Sequence, residues 1–281
     1  PTWKYIISPF CAHLAGPSVI KGITREIKAA LDAGDFNYCL RLDIKSYYAS
    51  INHQLLLEQL YNNYADPRLR QYFTAIVTTG VDCDGEVLLP TQGIPLRSTL
   101  SPFFGALYLT ALDRAFEKRP TTFYRRYMDD IIILVKNKRQ YASARKKVFA
   151  ILKELKLRIA PHKTRMGQLK RGFHFLGVNF EVAQTPQKKN HVTINLHKRS
   201  CRRALDKVQV LCDLAVHPAQ IQNYLSRWAS WWKSVTRLDR ILLLTAWVSY
   251  TKNGTMAELG WLGSGLLFSG YALSFRDSNQ I

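Results

Sequence analysis

The chain has 281 residues, of which 47% are hydrophobic and 21% are charged. This length and apolar content suffice for a full hydrophobic core, so they exclude an intrinsically disordered chain and a collagen-like or coiled-coil fibre. The 40 lysines and arginines outnumber the 20 acids, and the net charge of +20 favours a polyanionic partner over an acidic small substrate.

Cysteine usage and hydropathy bear on the compartment. The five cysteines form no CxxC pair, and a chain of this size needs no disulfides to fold, so we expect a reducing cytoplasm. The first ten residues lack the layout of a secretory signal. Residues 259–275 form one strongly apolar stretch, but four glycines interrupt it, so we expect it to pack against protein rather than to cross a membrane.

The first part of the chain predicts helices around a single strand. Apolar residues recur at helical spacing or alternate as in a strand, and Asp84-Gly85 marks a hairpin turn. We therefore predict helices over 16–32, 53–64, 67–79 and 98–118, a strand over 38–44 and a hairpin over 80–90.

An acidic hairpin follows. Residues 123–135 read FYRRYMDDIIILV, two β-rich half-strands on either side of Asp129-Asp130, so two adjacent carboxylates are expected at a hairpin tip. The remaining pattern predicts a helix over 139–157, a strand pair over 173–180, a strand over 192–196, helices over 198–250 and a linker at 184–190.

The positive charge is concentrated in one segment. Between Lys136 and Arg203 there are nineteen lysines and arginines but only two acids. A solvated helix face would mix both signs, so we interpret this segment as a groove that follows nucleic-acid phosphates. The seven histidines show no paired ligand spacing, and we expect all of them to be structural or surface residues.

Three acids stand out by their position. Asp43 follows an apolar strand, and Asp129 and Asp130 come at the hairpin tip. Acids beside apolar strands lose solvation and repel one another unless a cation neutralises them. Two Mg²⁺ ions, with Mn²⁺ as a substitute, would do so, because carboxylates from separate strands hold the metal pair of in-line phosphoryl transfer. Acidic turns are otherwise most often caps, so the surrounding sequence has to decide.

The motifs around these acids resemble those of reverse transcriptases. Tyr127-Met128-Asp129-Asp130 resembles the central motif of that family, and the LDIKSYY segment at 42–48 resembles its first acidic motif. Three further motifs follow in the family's order, and they extend the resemblance over about residues 40–180: Ser101-Pro102, Lys163 and Phe175-Leu176-Gly177.

The wording of the motifs is most similar to bacterial group II intron-like, retron-like and defence-associated enzymes. It implies an α/β (α+β) right-hand polymerase with a ferredoxin-like antiparallel palm sheet, helical fingers and a helical thumb. We place reduced fingers and the palm at residues 1–185, and the thumb with the C-terminal segment at 186–281. The implied activity is RNA-directed DNA polymerisation, a nucleotidyl transfer that adds dNTPs to a 3′-hydroxyl by a two-metal-ion mechanism.

The resemblance also implies partners and a setting. We expect an RNA template or a structured non-coding RNA, a DNA product and dNTPs in the cytoplasm of a bacterium, within an anti-phage defence or mobile-element system. A second protein subunit or a homo-oligomer stays open, and no membrane is expected. Two other functions also stay open: a template-independent or protein-primed DNA polymerase of the same fold, and an RNA-binding maturase or scaffold with a vestigial site.

Residue roles follow from the same resemblance. Asp43 and Asp129 are expected to hold both metals, Asp130 to support them, and the Ile44 carbonyl to complete one coordination shell. Lys163 is expected to protonate or to neutralise the leaving pyrophosphate. The expected nucleotide contacts are Tyr48, Leu96, Arg97, Tyr127 and Met128; the expected primer grip is Phe175, Leu176 and Gly177; and the expected backbone contacts are Arg199, Arg202 and Arg203.

Tyr48 has two interpretations. By resemblance it is the steric gate against a ribose 2′-hydroxyl, and the alternative is that it is a core tyrosine beside Tyr47. Met128 favours DNA synthesis, because RNA-dependent RNA polymerases usually carry glycine before the acid pair.

The sequence departs from the family in two places. Few residues precede Asp43, so the first helix or Arg41 is expected to grip the triphosphate; a natural, a trimmed and a partner-complemented N-terminus all stay open. Relatives commonly have Gln-Gly where this chain has Leu96-Arg97. Either this pair narrows the nucleotide pocket and biases the DNA product, or Arg97 contacts a phosphate.

Overall fold

The computed structural model of the chain describes residues 3–16, 19–83, 86–95, 98–117, 119, 121–184, 190–214 and 216–233. The chain divides into two compact units between Arg203 and Ala204. The predicted boundary between fingers and palm, up to residue 185, and a thumb, from 186, lies outside these ranges. This division stays a prediction. The apolar stretch at 259–275 and the helical pattern beyond 233 also lie outside the described residues.

The described helices are α1 (Trp3–Ile6), α2 (Val19–Asp32), α3 (Tyr47–Ser50), α4 (His53–Asn63), α5 (Pro67–Val77), α6 (Ser101–Tyr108), α7 (Thr110–Glu117), α8 (Lys138–Glu154), α9 (Lys198–Asp213) and α10 (Pro218–Lys233). The described strands are β1 (Tyr38–Asp43), β2 (Val81–Cys83), β3 (Glu86–Leu88), β4 (Thr122–Tyr127), β5 (Asp130–Val135), β6 (Arg165–Gln168), β7 (Phe173–Phe175), β8 (Val178–Gln184) and β9 (Asn190–Leu196). None of these helices is both long and apolar enough to cross a membrane.

The first unit is built on a four-stranded antiparallel sheet with strand order β4-β5-β1-β6. Leu40 and Leu42 of β1 are fully buried and belong to one core cluster with apolar residues of α6, α7 and α8. Because side chains alternate along a strand, Arg41 and Asp43 project from the opposite face. The sheet therefore has an apolar face toward these helices and a second face that carries charged residues.

Two smaller sheets accompany it. β2 and β3 pair as the predicted hairpin, and β7, β8 and β9 form a three-stranded antiparallel sheet in which the Phe173 and Phe180 rings stack with centroids 4.9 Å apart. Helices packed on antiparallel sheets give the α/β (α+β) class that the sequence predicted. In the second unit, Val208, Ile221 and Leu225 form a small apolar cluster.

The single helix predicted over 98–118 is wrong. α6 begins at Ser101, because Pro102 fits the first turn, where its missing N–H is not needed. The helix then breaks at Leu109, whose carbonyl accepts from the N–H groups of both Leu112 and Asp113, at 2.9 and 3.2 Å. Apolar spacing continues across this break, so the sequence pattern did not reveal it.

Candidate active site

Three acids meet where the central strands end. Asp43, the last residue of β1, lies opposite Asp130, the first residue of β5. Tyr127 pairs directly with Asp130, so Met128 and Asp129 form the two-residue turn that joins β4 to β5. The antiparallel register thus brings together carboxylates that are far apart in sequence.

Burial makes the negative charge of these acids costly. Burial raises the pKa of Asp130 to about 6, and the charges of Asp129 and Asp43 add to the shift while Arg41 and Lys163 oppose it. Burial also raises the pKa of Asp129, with a further contribution from the charge of Asp43. The cluster therefore favours any cation that can neutralise it.

Arg41 holds one of the three acids. Its guanidinium donates from Nη2 to Oδ1 of Asp130 at 2.7 Å and from Nη1 to the carbonyl of Lys163, and the residue is buried. Both terminal nitrogens of Arg41 already donate within the protein, which favours the first helix over Arg41 as the grip on an incoming triphosphate; that grip stays a prediction. Asp130 is correspondingly turned toward Arg41.

One carboxylate oxygen of Asp43 lacks a hydrogen bond within the described residues. Its Oδ1 atom is buried and accepts no hydrogen bond from a described residue, although the Lys163 ammonium lies 3.4 Å away. Among the described residues no group of three or more His, Cys, Asp or Glu is arranged to hold a metal ion. Two carboxylates suffice for Mg²⁺, which usually keeps waters and binds through one or two protein carboxylates and substrate phosphates. Asp43 and Asp129 fit that requirement.

The turn that carries Asp129 is held on both sides. Met128 adopts a positive φ of 54°, which is uncommon for a residue with a side chain. Its N–H donates to Nδ1 of His13 at 3.3 Å, and its carbonyl accepts from Nη1 of Arg126 at 3.1 Å. These two hydrogen bonds hold the backbone of Met128, directly before Asp129.

His13 is suited to this task because it is neutral. Burial lowers the pKa of the His13 imidazole, and Nε2 lies 3.0 Å from the Pro102 carbonyl, to which it donates. Nδ1 is then left to accept from Met128. The expectation that His13 is structural or at the surface understated its role, since it bonds the acidic turn.

Arg126 is wholly buried and paired with Asp113, which is equally buried. Nε of Arg126 donates to Asp113 Oδ1 at 2.7 Å, and the hydroxyl of Tyr124 donates to the same oxygen at 2.6 Å. No motif in the sequence marks this ion pair of Arg126 and Asp113. Strand alternation offered a signal, because Tyr124 and Arg126 share the core face of β4 while Arg125 points the other way.

The structure distinguishes the two adjacent tyrosines. Tyr47 is buried, and its hydroxyl donates to the Gly105 carbonyl at 2.5 Å. Tyr48 is half-buried and its ring lies against the Gly105 backbone; burial raises the pKa of its hydroxyl, and the charge of Asp129 adds to the shift. Tyr47 is thus the core tyrosine, and Tyr48 lies beside the acid cluster.

The predicted primer grip forms a tight turn between β7 and β8. Phe175 pairs with Val178, and the two intervening residues, Leu176 and Gly177, have φ values of 48° and 82°. Phe175 is buried, while the Gly177 carbonyl accepts from the backbone N–H of His197 at 3.0 Å. The turn is therefore anchored to the segment that enters α9.

The other predicted residues are placed as follows. Ile44 is buried and forms a β-bridge with Ile159, and the Tyr127 ring lies 6.1 Å from that of His13. Leu96 and Arg97 lie outside the described residues. The three predicted backbone contacts are exposed on α9: Arg199, Arg202 and Arg203.

Residues 4–180 match the family model of the reverse transcriptase (RNA-dependent DNA polymerase). The chain belongs to the reverse transcriptase family. This reverse transcriptase-family chain is 24% identical to protein YkfC of Escherichia coli strain K12, over 48% of its own length and 44% of YkfC. It therefore spans under half the length of that curated relative.

Solved structures share the fold of this reverse transcriptase-family chain. The apo telomerase of Candida tropicalis aligns with a TM-score of 0.54 at 12% identity, covering 85% of this chain and 45% of that one. The telomerase of Candida albicans in complex with a TWJ fragment of telomeric RNA aligns with a TM-score of 0.53 at 12% identity, covering 89% of this chain and 45% of that one. This likeness confirms the polymerase-type fold expected from the sequence.

The buried pair beneath the turn generates a stability prediction. Arg126→Met should lower the free energy of unfolding by about 3–5 kcal/mol, because it leaves the Asp113 carboxylate buried and unpaired. Arg125→Met is the matched control, with an expected loss of about 1 kcal/mol or less, because the ion pair of Arg125 with Glu26 is partly exposed. Urea unfolding measures both, and equal losses would contradict the assignment.

The crowded acids generate a second prediction. In metal-free buffer at pH 8, Asp129→Asn should melt at a higher temperature than the wild type, because it removes a charge that burial and Asp43 disfavour. Since the folded-state pKa of Asp129 is raised, this penalty exists above that pKa and vanishes once the carboxyl is protonated in both states, below about pH 4. Thermal unfolding monitored from pH 4 to pH 8 tests this, and a gain that does not shrink on acidification would contradict it.

Proposed function

We propose that the chain is an RNA-directed DNA polymerase that adds dNTPs to a 3′-hydroxyl. The observation that carries the proposal is the convergence of Asp43 and Asp129, with a buried Asp43 oxygen that accepts no hydrogen bond from a described residue. Lys163 lies 3.4 Å from that oxygen. Carboxylates of this kind beside a positively charged side chain suit phosphoryl transfer, in which positioning and charge neutralisation supply most of the catalysis.

Asp43 and Asp129 would hold divalent metal, Mg²⁺ or Mn²⁺, and the Ile44 carbonyl would complete one coordination shell. Asp130, which is bound to Arg41, would support them. When bound, the metal pair supplies charge neutralisation to the attacking and leaving oxygens. The chain's own task is to hold the two carboxylates in position for the metal. The bonds of His13 and Arg126 to Met128 contribute to this by setting the turn that carries Asp129.

The chemistry is an in-line displacement. The primer 3′-hydroxyl loses its proton to solvent, its oxygen bonds to the α-phosphorus of the dNTP, and the bond from that phosphorus to the oxygen bridging to the β-phosphate breaks. Pyrophosphate leaves with the electron pair of the broken bond. The Lys163 side chain is 46% exposed, and its ammonium would donate a proton to the leaving oxygen or neutralise its charge.

Contacts with nucleic acid are proposed for two surfaces. The turn at Phe175, Leu176 and Gly177 would hold the primer end, since glycine permits close backbone approach. The exposed arginines 199, 202 and 203 would contact backbone phosphates. A telomerase with the same fold has been solved with an RNA fragment, which supports RNA as a partner here; the DNA product, dNTPs and a second subunit or copy are part of the proposal.

The setting and the alternatives can be separated by experiment. An anti-phage or mobile-element role in a bacterial cytoplasm rests on the motif resemblance, and sequencing the nucleic acid that co-purifies with the chain would identify it. A template-independent or protein-primed polymerase would keep incorporating dNTPs after nuclease removal of bound RNA. A maturase or scaffold would bind RNA without incorporation.

The acids provide the central test. Asp43→Asn and Asp129→Asn should each reduce dNTP incorporation by at least about 10³-fold, which exceeds the usual loss of a single oxyanion donor. Asp32→Asn is the matched control, because this partly exposed aspartate pairs with Lys28 on the same helix, α2, and it should retain the wild-type rate. Circular dichroism verifies folding, and near-normal incorporation by Asp129→Asn would end the polymerase proposal.

Tyr48 provides a test of sugar selection. Tyr48→Ala should keep dNTP use largely intact and raise the efficiency ratio of rNTP to dNTP by about tenfold or more, because the barrier to a 2′-hydroxyl is removed. Its cost in stability should be smaller than that of Tyr47→Ala, for which a buried aromatic truncation predicts about 3–5 kcal/mol. Single-nucleotide kinetics and denaturant curves measure both quantities; an unchanged ratio with a large stability loss would assign Tyr48 to the core.

A further inference from the structure

A cavity of about 410 Å³ adjoins the acid cluster. One wall comes from the 3-10 turn at Pro161–Lys163 and the start of β6, and the other from β7, β8 and the turn before them. Lys163 belongs to this wall, while its ammonium lies 3.4 Å from Asp43. The cavity and the proposed reaction centre therefore share a side chain.

The walls of the cavity carry excess positive charge. Lys163, Arg165 and Arg171 line it, against a single acid, Glu181. Neither Arg165 nor Arg171 forms an ion pair with any residue in the described ranges. Burial lowers the pKa of His174, another lining residue, to about 4, so this imidazole is uncharged at neutral pH and the charge is that of the lysine and the arginines.

Several polar groups in the cavity lack a protein partner. Within the described ranges, the one side-chain hydrogen bond of Arg165 runs from Nε to the Gly172 carbonyl at 3.5 Å, so both terminal guanidinium nitrogens remain available there. The Thr164 hydroxyl oxygen is buried and has no hydrogen-bond partner in the described part of the chain. Unsatisfied buried polar groups are uncommon in folded proteins and indicate a missing partner.

The shape of the cavity is fixed by close packing. Gly172 has a φ of 63°, and a Cβ atom there would come within 2.9 Å of the Phe180 carbonyl. The stacked rings of Phe173 and Phe180 are both buried and lie beneath the charged residues. A closely packed apolar base with cationic side chains around it is a suitable receptor for a compact, highly charged anion.

We propose that this cavity binds inorganic pyrophosphate as it leaves the reaction centre. Lys163 would accompany the product from the acids, and the planar guanidinium groups of Arg165 and Arg171 would bind its oxygens in bidentate fashion. The inference rests on the proposed polymerase function, which generates pyrophosphate. Phosphates of the nucleic-acid backbone and of the incoming triphosphate share this chemistry, so the experiment has to separate the three sources.

The experiment measures inhibition by added pyrophosphate. Initial rates of dNTP incorporation are determined for the wild type, Arg165→Gln, Arg171→Gln and the double variant, each normalised to its own rate without pyrophosphate. The half-inhibitory concentration should rise about fivefold for each single change and about tenfold or more for the double. Lys170→Gln is the matched control: it removes the same charge from the residue next to Arg171, but Lys170 lines a different cavity, so inhibition should be unchanged.

Parallel measurements identify the other outcomes. Weaker primer–template binding with a flatter salt dependence, at unchanged pyrophosphate inhibition, would assign the cavity to backbone phosphates and overturn the proposal. A dNTP KM that rises in step with the inhibition constant would assign it to the triphosphate and also overturn it. Calorimetric titration of pyrophosphate separates the two hypotheses: a wild type that binds it without incorporating dNTPs contradicts the polymerase function alone, whereas active variants with unchanged pyrophosphate affinity contradict the cavity alone.

Discussion

The arrangement of the site depends on a buried ion pair. Arg126 and Asp113 are both 0% exposed, so neither charge can be hydrated, and each is tolerable only with the other in place. The guanidinium also donates to the carbonyls of Ala106 and Met128. One side chain thus connects β4, α6, α7 and the acidic turn, and the geometry of Asp129 follows from the packing of the core rather than from loop conformation.

The acids at the sheet end illustrate how such a core supports function at a cost. Burial and neighbouring acids raise the pKa of Asp129 and of Asp130 and so favour their neutral forms, and two cations, Arg41 and Lys163, offset part of the repulsion within the cluster. Arg41 is buried and forms an ion pair with Asp130, whereas the Lys163 side chain is half-exposed. A cluster that is only partly neutralised keeps an affinity for external cations, which a fully paired network would lose.

Sequence reasoning located the parts that local pattern encodes. The hairpin of β4 and β5 and the turn at Leu176-Gly177 follow from strand alternation and from motifs of known order, whereas the register that places Asp43 opposite Asp130 does not. It missed what depends on distant packing: the bond from His13 to Met128 spans a sequence separation of 115 residues, and no periodicity marks it. The break at Leu109 escaped for a related reason, since a one-residue kink preserves the spacing of apolar residues.

Arg41 has a further consequence that concerns sequence tolerance. The planar guanidinium of Arg41 on β1 donates both to Asp130 on β5 and to the Lys163 carbonyl in the turn before β6. One side chain therefore connects the acid and the turn. A lysine at position 41 would bring a single ammonium to one of these partners and release the other. Position 41 therefore does not tolerate lysine, the substitution that charge conservation alone would allow, and Arg41 links the turn that carries Lys163 to Asp130.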